Sequence, residues 1–182
     1  DKVRSKGREA QPFVLRAVNG DGSERVIEAK AVIDASGTWF APNPAGADGL
    51  PALGEAAAAA HIAYGIPEAL GAARARYAGK TTLVVGSGHS ALNTLIDLAR
   101  LKAEDPKTHI LWARRKANVE QAFGGEEADQ LQARGALGSA ARHLVESGVV
   151  EVVTPFRVQR VDRGCCGPRI VGDHNGTERQ IA

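Results

Sequence analysis

Six residues, Gly86-Ser87-Gly88-His89-Ser90-Ala91, have the types and spacing to grip a diphosphate. They follow the apolar run TTLVV (81–85) and open a stretch of helical periodicity. The pattern G-x-G-x-x-G/A between a strand and a helix is a dinucleotide-binding fingerprint. Gly86 lets the chain turn sharply off the strand, and Gly88 has no Cβ to hold a pyrophosphate away from the backbone. Ala91 is small enough for helix and strand to pack closely. The free N–H groups of the first helical turn, at the positive end of the helix dipole, then face the phosphates. The Ser90 hydroxyl is a further donor for the same oxygens. His89 lies inside the turn and is read either as a cofactor contact or as a surface or capping residue.

A second cluster, Arg114-Arg115-Lys116, stands at the end of the next apolar run, THILWA (108–113). Dinucleotide sites that favour NAD place Asp or Glu about 20 residues past the glycines, where it accepts the ribose hydroxyls. Three cations there select instead for the 2′-phosphate of NADPH, which guanidinium groups can pair with bidentately. On this reading Arg114→Ala weakens NADPH binding by roughly 1.5–3 kcal/mol, the scale of a charged hydrogen bond, and spares NADH.

Other reactive residue types lack a matching pattern. Cys165 and Cys166 are adjacent, which is the spacing of neither a disulfide framework nor a zinc site. They read as incidental thiols in a turn, with a redox or soft-metal role as the alternative. The histidines at 61, 89, 109, 143 and 174 show no ligand spacing, and no metal site or catalytic side chain is expected. Asp34 and Asp97 read as structural or solvent-facing, and EEAD (126–129) as a solvated loop. Trp39 is an aromatic that could pack over a cofactor ring, or simply between domains.

The elements that must position these groups follow from periodicity. FVLRAV (13–18) and RVIEAKAVIDAS (25–36) flank the turn-forming NGDGSE, which predicts a β-hairpin followed by a short strand AVIDA (31–35). Residues 39–55, rich in Pro and Gly, read as a linker. EAAAAAHIAYG (55–65) favours a short helix that Gly65 and Pro67 curtail. From 80 onward the pattern is β-α-β-α-β: strand 81–85, helix 90–102, strand 108–113, a polar loop over 117–134 with one helical turn, helix 136–148 and strand 149–154. RVQRVDR (157–163) and PRIVGDH (168–174) then alternate as an antiparallel meander, and the closing TERQIA reads as a further strand.

Bulk properties narrow the classes. A formal charge of +2 is too small for a general polyanion binder, so nucleic acid is not expected as a partner. No apolar run is long enough to span a bilayer, and the N-terminal DKVRSKGREAQ lacks a signal-peptide core. A soluble, cytoplasmic protein in a reducing compartment is the expectation. The chain opens on Asp1 without a methionine, which suggests a piece of a longer polypeptide.

These residues resemble the flavin- and NADPH-dependent oxidoreductases that include flavin-containing monooxygenases, Baeyer–Villiger monooxygenases and thioredoxin-reductase-like proteins. VIDASGTW (32–39) resembles the strand end where the chain leaves the flavin domain. GLPALGE (49–55) is similar to the family's interdomain linker, and Gly86–Ala91 with Arg114 and Arg115 to its NADPH site. RYAGKTTLVVGSGHSA (76–91) and ARGALG (133–138) look most like the monooxygenase-like branch. The resemblance implies an α/β fold: a Rossmann-like three-layer NAD(P)-binding domain with a parallel sheet and a β-meander at 80–182. A linker with a short helix would occupy 39–79, and a β-hairpin remnant of a flavin domain 1–38. It also implies NADPH and FAD as cofactors, Ser36 and Gly37 on the flavin side, and hydride transfer from NADPH to FAD in the intact parent. Nothing before residue 31 resembles the glycine-rich unit that holds FAD, so the isolated chain is expected to be inactive and to hold flavin weakly. The substrate, a small molecule, is not named by the sequence, and homodimerisation stays open. Three rivals remain: a non-catalytic NAD(P) sensor, a methyltransferase, which the arginines disfavour, and an interaction module that has lost its ligand.

Overall fold

The computed structural model describes residues 7, 10–35, 41–124, 132–164 and 167–182. Ser36, Gly37, Trp39, the run 126–129 and Cys165-Cys166 lie outside these residues. The chain divides into two compact units, residues 1–40 and 41–182.

In the first unit β1 (Phe13–Val18) pairs antiparallel with β2 (Glu24–Ala29), in the register Phe13↔Ala29 to Val18↔Glu24. Gly22 takes a φ of 82° in the turn, where Ser23 donates both its N–H and its hydroxyl to Asp21 Oδ1, at 2.9 and 2.6 Å. The hairpin therefore forms where Asn-Gly-Asp-Gly predicts it. The expected strand at 31–35 does not form. A strand needs a neighbour for its ladder; 31–35 forms no β-ladder with the described residues, and Ile33 is 93% exposed.

The second unit is layered. β3 (Thr81–Val85), β4 (His109–Ala113) and β5 (Glu151–Val153) form a parallel sheet in that order, with Thr81↔His109 and Leu111↔Glu151 in register. Between them run α2 (His89–Glu104) and α3 (Gln132–Glu146); α1 is a single turn, Arg74–Tyr77. Side chains alternate across the strands. Val84, Ile110 and Trp112 join Leu92, Leu95, Leu98 and Leu101 of α2 and Ala141 of α3 in one buried cluster. Each fully buried leucine contributes roughly 1.5–3 kcal/mol relative to exposure. Leu83, Leu111, Ala113 and Val153 face the other way, into a cluster with Phe156, Val158, Val161 and Ile181. That second layer comes from an antiparallel meander of β6 (Arg157–Arg163), β7 (Pro168–His174) and β8 (Thr177–Ile181). The α/β three-layer class read from the sequence is the one observed.

Residues 41–79 are irregular apart from a 3-10 helix, Ala56–His61, and α1. They are nevertheless bound to the meander. Leu53 donates its N–H to Gln159 O at 3.0 Å and accepts from Val161 N at 2.7 Å, while Ala47 N donates to Val158 O at 3.0 Å. Within this stretch Glu55 accepts backbone N–H bonds from Ala45 and Ala52 and a 2.5 Å bond from the Tyr64 hydroxyl. Among the described residues no helix is long and apolar enough to cross a membrane.

Candidate functional site

β3 delivers its chain end to Gly86, whose φ of 125° only glycine adopts without strain. The Gly86 N–H donates to Ala113 O at 3.1 Å, and its carbonyl accepts the Trp112 indole N–H at 2.7 Å. Both neighbours lie on β4, in register with the end of β3, so the turn is fastened to the adjacent strand rather than left as a free loop. Ala91 meets Gly86 at the distance the packing role requires: a Cβ placed on Gly86 would lie 4.0 Å from that of Ala91.

Gly88 is the N-cap of α2. No side chain caps this end, and the first turn holds no acidic residue. The positive end of a sixteen-residue helix is thus left open. A Cβ at Gly88 would meet nothing within 4 Å, so the glycine keeps open space directly over the backbone. Ser87, Gly88, His89 and Ser90 are all exposed. Opposite them a depression of about 380 Å³ is closed by Gln121, Ala122, Gly124 and Arg134, with Ser87, Gly88 and His89 as its near wall. The far wall could not be read from the fingerprint. Its one sequence signal is a glycine inside α3: a Cβ at Gly138 would fall 1.9 Å from Phe123 O, so only glycine lets the 120–124 turn lie against the helix. Arg142 of α3 then holds this turn, pairing with Glu120 at 2.5 Å and stacking 4.8 Å from the Phe123 ring.

The three cations after β4 separate. Arg114, expected on a 2′-phosphate, is only 3% exposed. One guanidinium nitrogen donates to Asn118 O at 2.9 Å, the group stacks 5.3 Å from the Trp112 ring, and its Nε has no partner. Burial pulls its pKa down. The reason for its placement is positional. Residue 114 continues β4 inward, bonding Val153 O through its N–H and Phe156 N through its carbonyl. Arg115 and Lys116 are exposed, and Arg115 donates to Ala47 O at 2.7 Å. Ser36 and Gly37, the flavin-side positions, lie outside the described residues.

No protein-family model matches the sequence, and no curated protein matches it. Among solved structures, bacillithiol disulfide reductase Bdr (YpdA) from Bacillus cereus superposes on 100% of this chain and 45% of its own, with a TM-score of 0.54 and 13% identity. A thioredoxin reductase from Gloeobacter violaceus covers 94% of this chain and 44% of its own at 13% identity, with a TM-score of 0.45, too loose to argue from. The chain spans just under half the length of the Bacillus reductase, and over that span it has the reductase's Rossmann-like fold.

Proposed function

We propose that the chain is the NADPH-binding portion of a flavin-dependent oxidoreductase of the cytoplasm. One observation carries the reading: the uncapped, acid-free end of α2 opens, across the bare Gly88, onto the depression lined by Ser87 and His89. A diphosphate fits there because a backbone without a Cβ can approach it and the helix end supplies donors and partial positive charge. Gly86 to Ala91 would hold the pyrophosphate, and the exposed Arg115 and Lys116 would take the 2′-phosphate. Arg134 brings another positive charge to the far wall. When bound, NADPH supplies a hydride for the flavin that the sequence resemblance implies. This chain's own residues bind and orient; none is asked to move a proton. The monooxygenase-like outcome rests on sequence resemblance alone, and the structural neighbour is named a disulfide reductase.

Isothermal titration of the chain with NADPH, NADH and S-adenosylmethionine tests the proposal. NADPH is expected to bind most tightly and S-adenosylmethionine not at all. A chain that binds neither dinucleotide overturns the reading in favour of an interaction module without a ligand.

A further inference from the structure

The carbonyl of Gly86, at the head of the phosphate turn, is captured by a side chain from the neighbouring strand, and its captor is fully buried. Trp112 has none of its surface exposed, and its indole N–H reaches Gly86 O at 2.7 Å. The Gly86–Ser87 peptide is trans, since the single cis bond among the described residues is Thr154–Pro155. Across a trans peptide the C=O and the next N–H point in opposite directions. With its carbonyl drawn down onto the indole, this peptide must aim the Ser87 N–H the other way, away from the interior. Ser87 is exposed and lines the depression, and its N–H meets no partner among the described residues.

We infer that Trp112 is a positioning residue which, through its indole N–H, locks the Gly86–Ser87 peptide with the Ser87 N–H facing the bound diphosphate. The inference rests on the proposed dinucleotide reading. Without the indole donor nothing on β4 holds that carbonyl, and glycine at φ 125° gives the peptide little resistance to turning over. A flipped peptide would present an oxygen to the anion where it had presented a donor. The lock is itself braced: Phe123 lies 6.1 Å from the Trp112 ring centroid and the buried Arg114 stacks at 5.3 Å. Arg114 therefore serves the same phosphate turn through Trp112, at one remove from any ligand.

Trp112→Phe keeps the aromatic packing and removes the donor. Titrated in the 182-residue chain, it should weaken NADPH and NADH by the same factor, roughly 5–20-fold on the scale of one exchanged hydrogen bond. Both share the diphosphate, so equality is the signature of the lock. A loss confined to NADPH would instead report a disturbed 114–116 loop and overturn the inference, as would affinities within twofold of wild type. If the wild-type chain binds neither dinucleotide, the functional reading falls and the lock falls with it. Should the variant fail to fold, nitrogen-15 spectra of the wild type decide. The Trp112 indole proton should exchange slowly and the Ser87 amide should shift on adding NADH. An indole proton exchanging as in free tryptophan, or an unmoved Ser87 amide in the NADH complex, overturns the inference.

Discussion

Glu55 keeps only 3% of its surface exposed, yet its carboxyl pKa is lowered, not raised. Burial by itself would push its carboxyl up, but the Tyr64 hydroxyl and the Ala45 and Ala52 N–H groups outweigh that and hold it below the ordinary carboxylate range. The same bond pushes the Tyr64 phenol up to about 12. The signs are opposite in consequence. Glu55's contribution is present above the ordinary carboxylate pKa and is lost as pH falls through its lowered value. Tyr64's is complete below its ordinary 10.0 and is lost as pH rises through about 12. Tyr64→Phe should therefore cost about 1 kcal/mol near neutrality and start acid unfolding at a higher pH. Urea melts across the acid range would show this, and an unchanged acid limb would refute it. Charge at a single residue also decides the cofactor argument. Arg114→Ala removes a buried side chain that props Trp112, so it should lower the melting temperature and weaken NADPH and NADH together. The exposed pair, replaced as Arg115→Ala with Lys116→Ala, should weaken NADPH alone, by roughly 1.5–3 kcal/mol. If the pair spares NADPH, the 2′-phosphate assignment fails. The sequence shows three cations in a row; it does not show which one the strand carries inward, because that depends on what β5 and β6 offer its backbone.

At the scale of elements, the α/β half was legible because its signals are local and strong. Leu92, Leu95 and Leu98 recur at helical spacing, TTLVV is a continuous apolar run, and both ended in the elements expected. The strand forecast at 31–35 had equally good residues but no ladder partner among those described, and pairing is not a property of five residues. The attachment of 41–55 to β6 was illegible for a related reason. It rests on backbone bonds such as Leu53 to Gln159 and Val161, which any residue except proline could make. The far wall of the site lies between these cases, since Gly138 was visible as a helix glycine while its purpose was not. Gly138→Ala tests that purpose. Helix propensity alone would favour alanine by about 1 kcal/mol. The added Cβ, however, would sit 1.9 Å from Phe123 O and 2.9 Å from its carbonyl carbon, both backbone atoms that cannot rotate away. Net destabilisation of about 1–3 kcal/mol is expected from this overpacking, together with weaker dinucleotide binding as the 120–124 turn is pushed off α3. A variant more stable than wild type would show that the turn is not held where described.

At the scale of the molecule, the two units differ in what could hold each together. Residues 41–182 contain both buried clusters, one on each face of the parallel sheet, and every described residue of the candidate site. Among the described residues of 1–40 there is one two-stranded hairpin. Its register puts Phe13, Leu15 and Ala17 on the same face as Ile27 and Ala29, but Phe13 stays exposed, as do Val14, Val18 and Val26. A lone hairpin is marginal in water, because two strands cannot bury enough surface to offset the ordering of their backbone. Stability and dinucleotide binding should therefore reside in the second unit. A chain beginning at Ala41 is expected to melt cooperatively within a few degrees of the 182-residue chain and to bind NADPH with an affinity within about threefold. Circular dichroism melts and calorimetric titration on both chains make the comparison. If the shortened chain melts without cooperativity, or loses the dinucleotide while still folded, then residues 1–40 support the layered unit in a way that their exposed hairpin does not reveal.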